Sequence, residues 1–176
     1  RFCTHFAHGK GRVTLRNGLC HVLLTTMEDL KGYEERKGAR RPAGISHTAD
    51  RNRTTWSENR ARTAAQLGIT HQPEVLIIGG GQGGVALAAR LKHLNIPALV
   101  VEQNPRIGDS WRNRYRSLVL HDPVWYDHLP YLPFPENWPV FCPKDKIGDW
   151  LEAYALIFEL DTWTSTRCNS ARFDAE

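Results

Sequence analysis

The sequence contains no C-x-x-C pair. Its four cysteines, Cys3, Cys20, Cys142 and Cys168, follow no zinc-binding spacing and offer no redox-active dithiol. They are expected to be reduced thiols of a cytoplasmic protein, and no metal site is expected. No apolar run approaches the roughly 20 residues of a membrane span. Residues 1–9 lack the apolar segment of a signal peptide. Lys and Arg exceed Asp and Glu by only 23 to 19. The basic excess lies mostly before residue 70 and is interleaved with Glu34, Glu35, Asp50 and Glu58, so no cationic face for nucleic acid is written. No internal repeat is present. The eight histidines are scattered, and no acid, base or nucleophile stands out, so catalytic residues stay unassigned.

What is present fits a soluble globular chain. The hydrophobic fraction is 41% and the charged fraction 24%, which argues against disorder over the whole length. The 176 residues give room for one ordinary domain, or for one domain and part of another. The chain starts at Arg1 without a methionine and stops at Glu176, just after an extended-looking segment at 170–173. It is expected to be a piece of something larger.

Residues 11–27 read as a β-hairpin, with strands at 13–15 and 19–26 around Asn17-Gly18, a strong two-residue turn signal. A lone hairpin is marginal in water, and partner strands are not evident nearby. Residues 1–27 are therefore expected to be the C-terminal remnant of an upstream β-rich domain. Residues 28–70 read as a charged linker with a short helix. Gly32, Gly38, Pro42 and Gly44 interrupt its first part. Thr55 and Glu58 can form a capping box, and Gly68 can end the helix.

From residue 71 the text changes character. Val75-Leu76-Ile77-Ile78 is a continuous apolar run, as in a strand buried on both faces of a parallel sheet. A glycine cluster follows, then a helix over 83–94, with Asn95 as its left-handed terminator and Pro97 beyond it. Residues 98–101 form a second apolar strand. Strand, helix and parallel strand make a Rossmann-like βαβ unit, so the fold class is α/β. Residues 120–143 hold six prolines and six large aromatics, which exclude regular helix and central strand and predict an ordered irregular layer. A helix over 144–158 then places Ile147, Trp150, Leu151, Tyr154 and Phe158 on one face.

Gly79-Gly80-Gly81-Gln82-Gly83-Gly84 fits G-x-G-x-x-G. Gly79 permits the tight turn, Gly81 lets the backbone approach a pyrophosphate, and Gly84 lets the helix pack closely on the strands. The N–H groups of the helix start then face the phosphates. Glu102 closes the second strand about where a ribose-binding carboxylate belongs. A carboxylate there repels a 2′-phosphate, which favours FAD or NAD over NADP. Arg106 is close enough to offset that repulsion, or is a surface arginine.

Four passages together carry a family resemblance. They are the glycine loop with Glu102; Gly108-Asp109-Ser110-Trp111, similar to G-G-x-W; Tyr115 to His121, similar to Y-x-x-L-x-L-H; and Pro133-Phe134-Pro135 through Pro139 to Lys144 and Tyr154-Ala155. From about residue 73 onward the chain resembles the N-terminal FAD-binding part of the flavin-containing monooxygenases. It is most similar to the branch that includes the plant indole-pyruvate (YUCCA-type) enzymes and their microbial relatives. The hairpin and linker resemble the N-terminal extension of some microbial members, a small α+β domain of NTF2-like kind.

The resemblance implies a FAD-binding domain over 71–176, an incomplete three-layer sandwich truncated before the domain that holds NADPH. FAD would contact Gly79, Gly81, Gln82, Gly83, Gly84, Glu102 and Gln103. Gly108, Ser110 and Trp111 would lie along its flavin side and His121 near the ring, with Trp111 alternatively a core aromatic. The implied reaction is NADPH- and O2-dependent oxygenation of a small organic substrate through a flavin C4a-hydroperoxide. Asp109 replaces the usual second glycine, so that turn is expected to differ. The chain alone is not expected to complete the reaction. Two alternatives stay open: another FAD/NAD-dependent oxidoreductase, or a truncated FAD-binding fragment without turnover. Neither nucleic acid nor a membrane span enters the expectation, and the oligomeric state is left open.

Overall fold

The computed structural model describes residues 1–44 and 49–174. The part of the expected linker at 45–48 and the last two residues of the expected flavin domain lie outside the described residues. The chain divides into two compact units, one of Arg1–Gly44 with His93–Asn95 and one of the other described residues. Among the described residues, no helix is long and apolar enough to cross a membrane.

The first unit is a three-stranded antiparallel sheet in the order β1-β2-β3, formed by β1 (Phe2–Cys3), β2 (Ala7–Arg16) and β3 (Leu19–Leu30). Asn17 and Gly18 turn between β2 and β3 with φ of 52° and 79°. Two successive positive values match the strands' twist, which is why Asn-Gly was so strong a signal. Both strands run longer than the apolar alternation indicated, because backbone pairing continues through Ala7 to Lys10 and through Met27 to Leu30. The partner strand that seemed missing is β1, which pairs Phe2 with Gly9. Two residues are too few to show a periodicity. Phe2 lies over Gly9 so closely that a Cβ there would fall 2.4 Å from its ring.

In the second unit, α1 (Trp56–Gln66) begins at the Thr55–Glu58 capping box. Gly68 follows it at φ +76°. The Arg60 guanidinium ties α1 to the Asp161 carboxylate at 3.2 Å and to the Glu159 carbonyl at 2.9 Å. The sheet has the order β4-β5-β6, all parallel, from β4 (Val75–Ile78), β5 (Ala98–Val101) and β6 (Thr162–Trp163). Between β4 and β5 runs α2 (Gln82–His93), and Asn95 turns the chain back at φ 60°. The short α3 (Asp109–Arg112) and the long α4 (Lys144–Ile157) come from the connection between β5 and β6. The segment at 170–173 looked extended in sequence but forms no strand; the third strand is β6, two residues of which carry no alternation to read.

The two faces of this sheet differ. Ile77 and Val100 point into the main core with Val85, Ala88 and Ala89 of α2 and Ile147, Leu151 and Tyr154 of α4. On the other face Leu67, Leu99 and Val101 pack with Trp163. That cover does not reach β4, where Leu76 and Ile78 are 53% and 62% exposed. The expectation of a strand buried on both faces thus fails for β4, whereas in β5 Leu99, Val100 and Val101 are all buried. An apolar run records a need for cover, not which residues provide it.

The proline- and aromatic-rich stretch is an ordered layer, as its composition required. It is pinned by N–H···O bonds from Leu120 to Cys142 (2.8 Å), Val124 to Val140 (2.8 Å) and Lys144 to Leu118 (3.1 Å). Phe134 stacks on Trp138 at 4.9 Å, and both meet Trp150 of α4 edge-on. The Tyr154 hydroxyl donates to the Pro130 carbonyl at 2.9 Å. With its ring fully buried, burial pushes that phenol up to about 12.

Candidate functional site

The carboxyl ends of the three parallel strands converge. Such ends are where ligands bind in open α/β sheets, because the turns leaving them are free to form a crevice. Here the Gly79 turn leaves β4, Glu102 leaves β5, and residues 164–168 leave β6. Together they enclose a cavity of about 340 Å³ lined by Gly79, Gly81, Glu102, Gln103, Ser110 and Thr166, among others.

The glycines differ in what they do. Gly79 takes φ +102°, in the region that favours glycine, and its N–H donates to the Val101 carbonyl at 2.8 Å. At Gly84 a Cβ would lie 1.9 Å from the Gly79 carbonyl oxygen, so the helix start and the strand end are in backbone contact. Gly81 lines the cavity, and a Cβ there would meet only the Ser110 side chain, Oγ at 3.3 Å and Cβ at 3.9 Å. The first N–H groups of α2 have no acceptors within the helix.

Glu102 is buried at 4% exposure. Its Oε2 accepts from the Gly80 N–H at 2.7 Å, and its Oε1 accepts from both the main-chain and side-chain N–H groups of Asn104, each at 2.7 Å. Arg106, which could have served a 2′-phosphate, instead donates through Nε to Glu152 at 3.0 Å. That hydrogen bond holds the Glu152 carboxyl below its usual range.

The second half of the site lies past the glycine loop. A cavity of about 500 Å³ is lined by Gln82, Trp111, Arg114, His121, Asp127 and His128, among others. Gly81 and Ser110 line the first cavity, and their chain neighbours Gln82 and Trp111 line this one. The Trp111 indole donates to Gln82 Oε1 at 2.8 Å, and the Arg114 guanidinium covers its ring at 4.6 Å. Burial, and then the charge of Asp122, push the Asp127 carboxyl up.

The turn around Asp109 departs from a double glycine for a visible reason. One Asp109 oxygen accepts from the Arg106 N–H at 3.1 Å and the other from Arg112 at 2.8 Å. Arg112 also reaches Asp149 and Glu152 of α4, at 2.9 and 3.0 Å. Gly108 sits at φ +86°, where a Cβ would fall 2.2 Å from the Gly148 carbonyl oxygen. It lets α3 lie against α4.

Of the residues singled out in the sequence, Gly79, Gly81, Glu102, Gln103 and Ser110 line the first cavity and Gln82, Trp111 and His121 the second. Gly83, Gly84 and Gly108 line neither. Gly84 and Gly108 shape the site through backbone packing, and Gly83 stands on the first turn of α2 with open space around it. Sequence reasoning missed Asn104, Thr166, Arg167 and Cys168 in the first cavity and Arg114, Asp127 and His128 in the second. Asn104, two residues beyond the acidic strand end, was within reach of a local reading. Residues 166–168 arrive only by tertiary folding.

No family model matches the chain. It is 42% identical over 108 residues to an oxidoreductase of Geobacillus kaustophilus described as CzcO-like, covering 61% of this chain and 31% of that protein. It is 37% identical over 107 residues to the indole-3-pyruvate monooxygenase YUCCA1 of Oryza sativa subsp. japonica, covering 60% of this chain and 26% of that one. The chain thus spans about a quarter to a third of the length of these relatives. Among solved structures, it aligns with OTEMO in complex with FAD and NADP at a TM-score of 0.50 and 18% identity, over 59% of this chain and 21% of that one. This second likeness concerns the fold alone. Over about three fifths of its length, the chain is similar in sequence to the indole-3-pyruvate monooxygenases and to the CzcO-like oxidoreductase.

Proposed function

We propose that the second unit binds FAD and is the flavin-binding part of an NADPH- and O2-dependent monooxygenase acting on a small organic substrate. The observation that carries this reading is the pair of cavities that the glycine loop helps to line, with the buried Glu102 carboxylate in one and Trp111 and His121 in the other. The residues fit the cofactor. Glu102 would take a ribose hydroxyl of the ADP half, where a 2′-phosphate would meet its negative charge. The Gly81 backbone and the first N–H groups of α2 would take the pyrophosphate. Gln82, Ser110 and Trp111 would guide the flavin half into the larger cavity, whose aromatic wall around Phe134 keeps water from one side of it. When bound, FAD supplies hydride acceptance from NADPH and activation of O2. The protein's own part here is to bind, orient and exclude water.

Titrating FAD into the purified chain while following flavin fluorescence and thermal stability tests the reading. Saturable quenching with a raised melting temperature is expected. If neither occurs, and added NAD stabilises the chain instead, the site belongs to a nicotinamide-dependent oxidoreductase.

A further inference from the structure

We infer that Asn104 is the positioning residue of this nucleotide site, and that it fixes the Glu102 carboxylate so that a single ribose hydroxyl is read. The inference rests on the nucleotide reading given above and goes beyond it. An ionised carboxylate has about four acceptor sites, two on each oxygen. Asn104 fills both sites on Glu102 Oε1, through its main-chain N–H and its Nδ2, each at 2.7 Å. The Gly80 N–H fills one site on Oε2 at 2.7 Å. One acceptor site remains, on Oε2, in a side chain that is 4% exposed and lines the cavity.

Asn104 is itself held. Its Oδ1 accepts from the Asn113 side chain at 3.4 Å, and its carbonyl accepts from the Ser165 N–H at 2.9 Å. The Nδ2 end of the amide faces Glu102, because a carboxylate oxygen accepts hydrogen bonds and the amide oxygen has none to give. The carboxylate is thus clamped from the β5 turn on one oxygen and from the glycine loop on the other. Without the Asn104 side chain, Oε1 regains a free lone pair and the carboxylate can turn to accept both hydroxyls of a ribose, or neither.

The test is calorimetric titration of the full 176-residue chain with ADP, 2′-deoxy-ADP and 3′-deoxy-ADP. The proteins are wild type, Asn104→Ala, Asn104→Ser, Glu102→Gln and the Glu102→Gln/Asn104→Ala pair. A hydrogen bond to a charged group sets the expected scale. Wild type should bind ADP about tenfold tighter than one of the two deoxy nucleotides and within about threefold of the other. Asn104→Ala should cut the larger ratio to under about threefold. Asn104→Ser, whose hydroxyl can donate to Oε1, should keep most of it, and serves if the alanine variant does not fold. In the Glu102→Gln background, Asn104→Ala should change no ratio, because a residue that acts through Glu102 has nothing left to act on. Ratios unchanged by Asn104→Ala, or all three ligands weakened equally in both backgrounds, would overturn the inference and leave the nucleotide reading intact. Equal losses for the two deoxy nucleotides in wild type would overturn single-hydroxyl reading. Wild type that binds none of the three removes the nucleotide reading, and this inference with it.

Discussion

Gly83 and Gly84 are adjacent on the first turn of α2, yet alanine should act on them in opposite directions. At Gly84 the added Cβ would stand 1.9 Å from the Gly79 carbonyl oxygen and 3.1 Å from its carbon. That neighbour is main chain, held in place by the Gly79 N–H bond to Val101 at 2.8 Å, so it cannot rotate away. The helix start must lift from the strand end. Overpacking of this kind costs about 1–3 kcal/mol, and with a backbone partner Gly84→Ala should lie at the upper end. At Gly83 no atom lies within 4 Å of the added Cβ. There alanine removes glycine's entropy cost within a helix and should stabilise by about 0.5–1 kcal/mol. The two variants should therefore differ by roughly 3–4 kcal/mol. Urea denaturation followed by far-UV circular dichroism, without added nucleotide so that binding does not contribute, measures the difference directly. Gly83→Ala as unstable as Gly84→Ala, or Gly84→Ala within about 0.5 kcal/mol of wild type, would refute the close helix–strand contact.

Three further outcomes are expected. Gly81→Ala should leave the melting temperature nearly unchanged, because the Cβ meets only the Ser110 side chain, its rotatable Oγ at 3.3 Å and its Cβ at 3.9 Å, while FAD quenching should be lost; full quenching would show that the backbone at Gly81 does not approach the ligand. Gly108→Ala should destabilise by about 2–3 kcal/mol, from its positive φ and the approach to the Gly148 carbonyl, and denaturant midpoints would read it. Tyr154, raised to about 12, should make stability fall with pH. Between about pH 10 and 12 the unfolded chain ionises this phenol while the folded chain does not, a loss on the order of 3 kcal/mol that is absent below pH 10. Tyr154→Phe should flatten that alkaline decline, and an unchanged slope across the window would place its origin elsewhere.

Local rules were sufficient for much of this chain. The Asn17-Gly18 turn, the Thr55–Glu58 capping box, the β4-α2-β5 order and the apolar face of α4 each follow from a few neighbouring residues whose backbone preferences and periodicity agree. The glycine loop was legible for the same reason, as was Glu102, because strand, turn and helix lie next to one another in the chain. Two-residue strands were not legible: β1 and β6 exist through pairing with a neighbour, and nothing in Phe2-Cys3 or Thr162-Trp163 announces it. Cover was not legible either. Val75 to Ile78 and Ala98 to Val101 read alike, but only β5 has Leu67 and Trp163 over its second face. The site divides along the same line. Its glycines and its carboxylate are local features. The clamp of Asn104 and Gly80 on Glu102 and the walls from residues 166–168 depend on three strand ends meeting in space, and only the tertiary structure decides that.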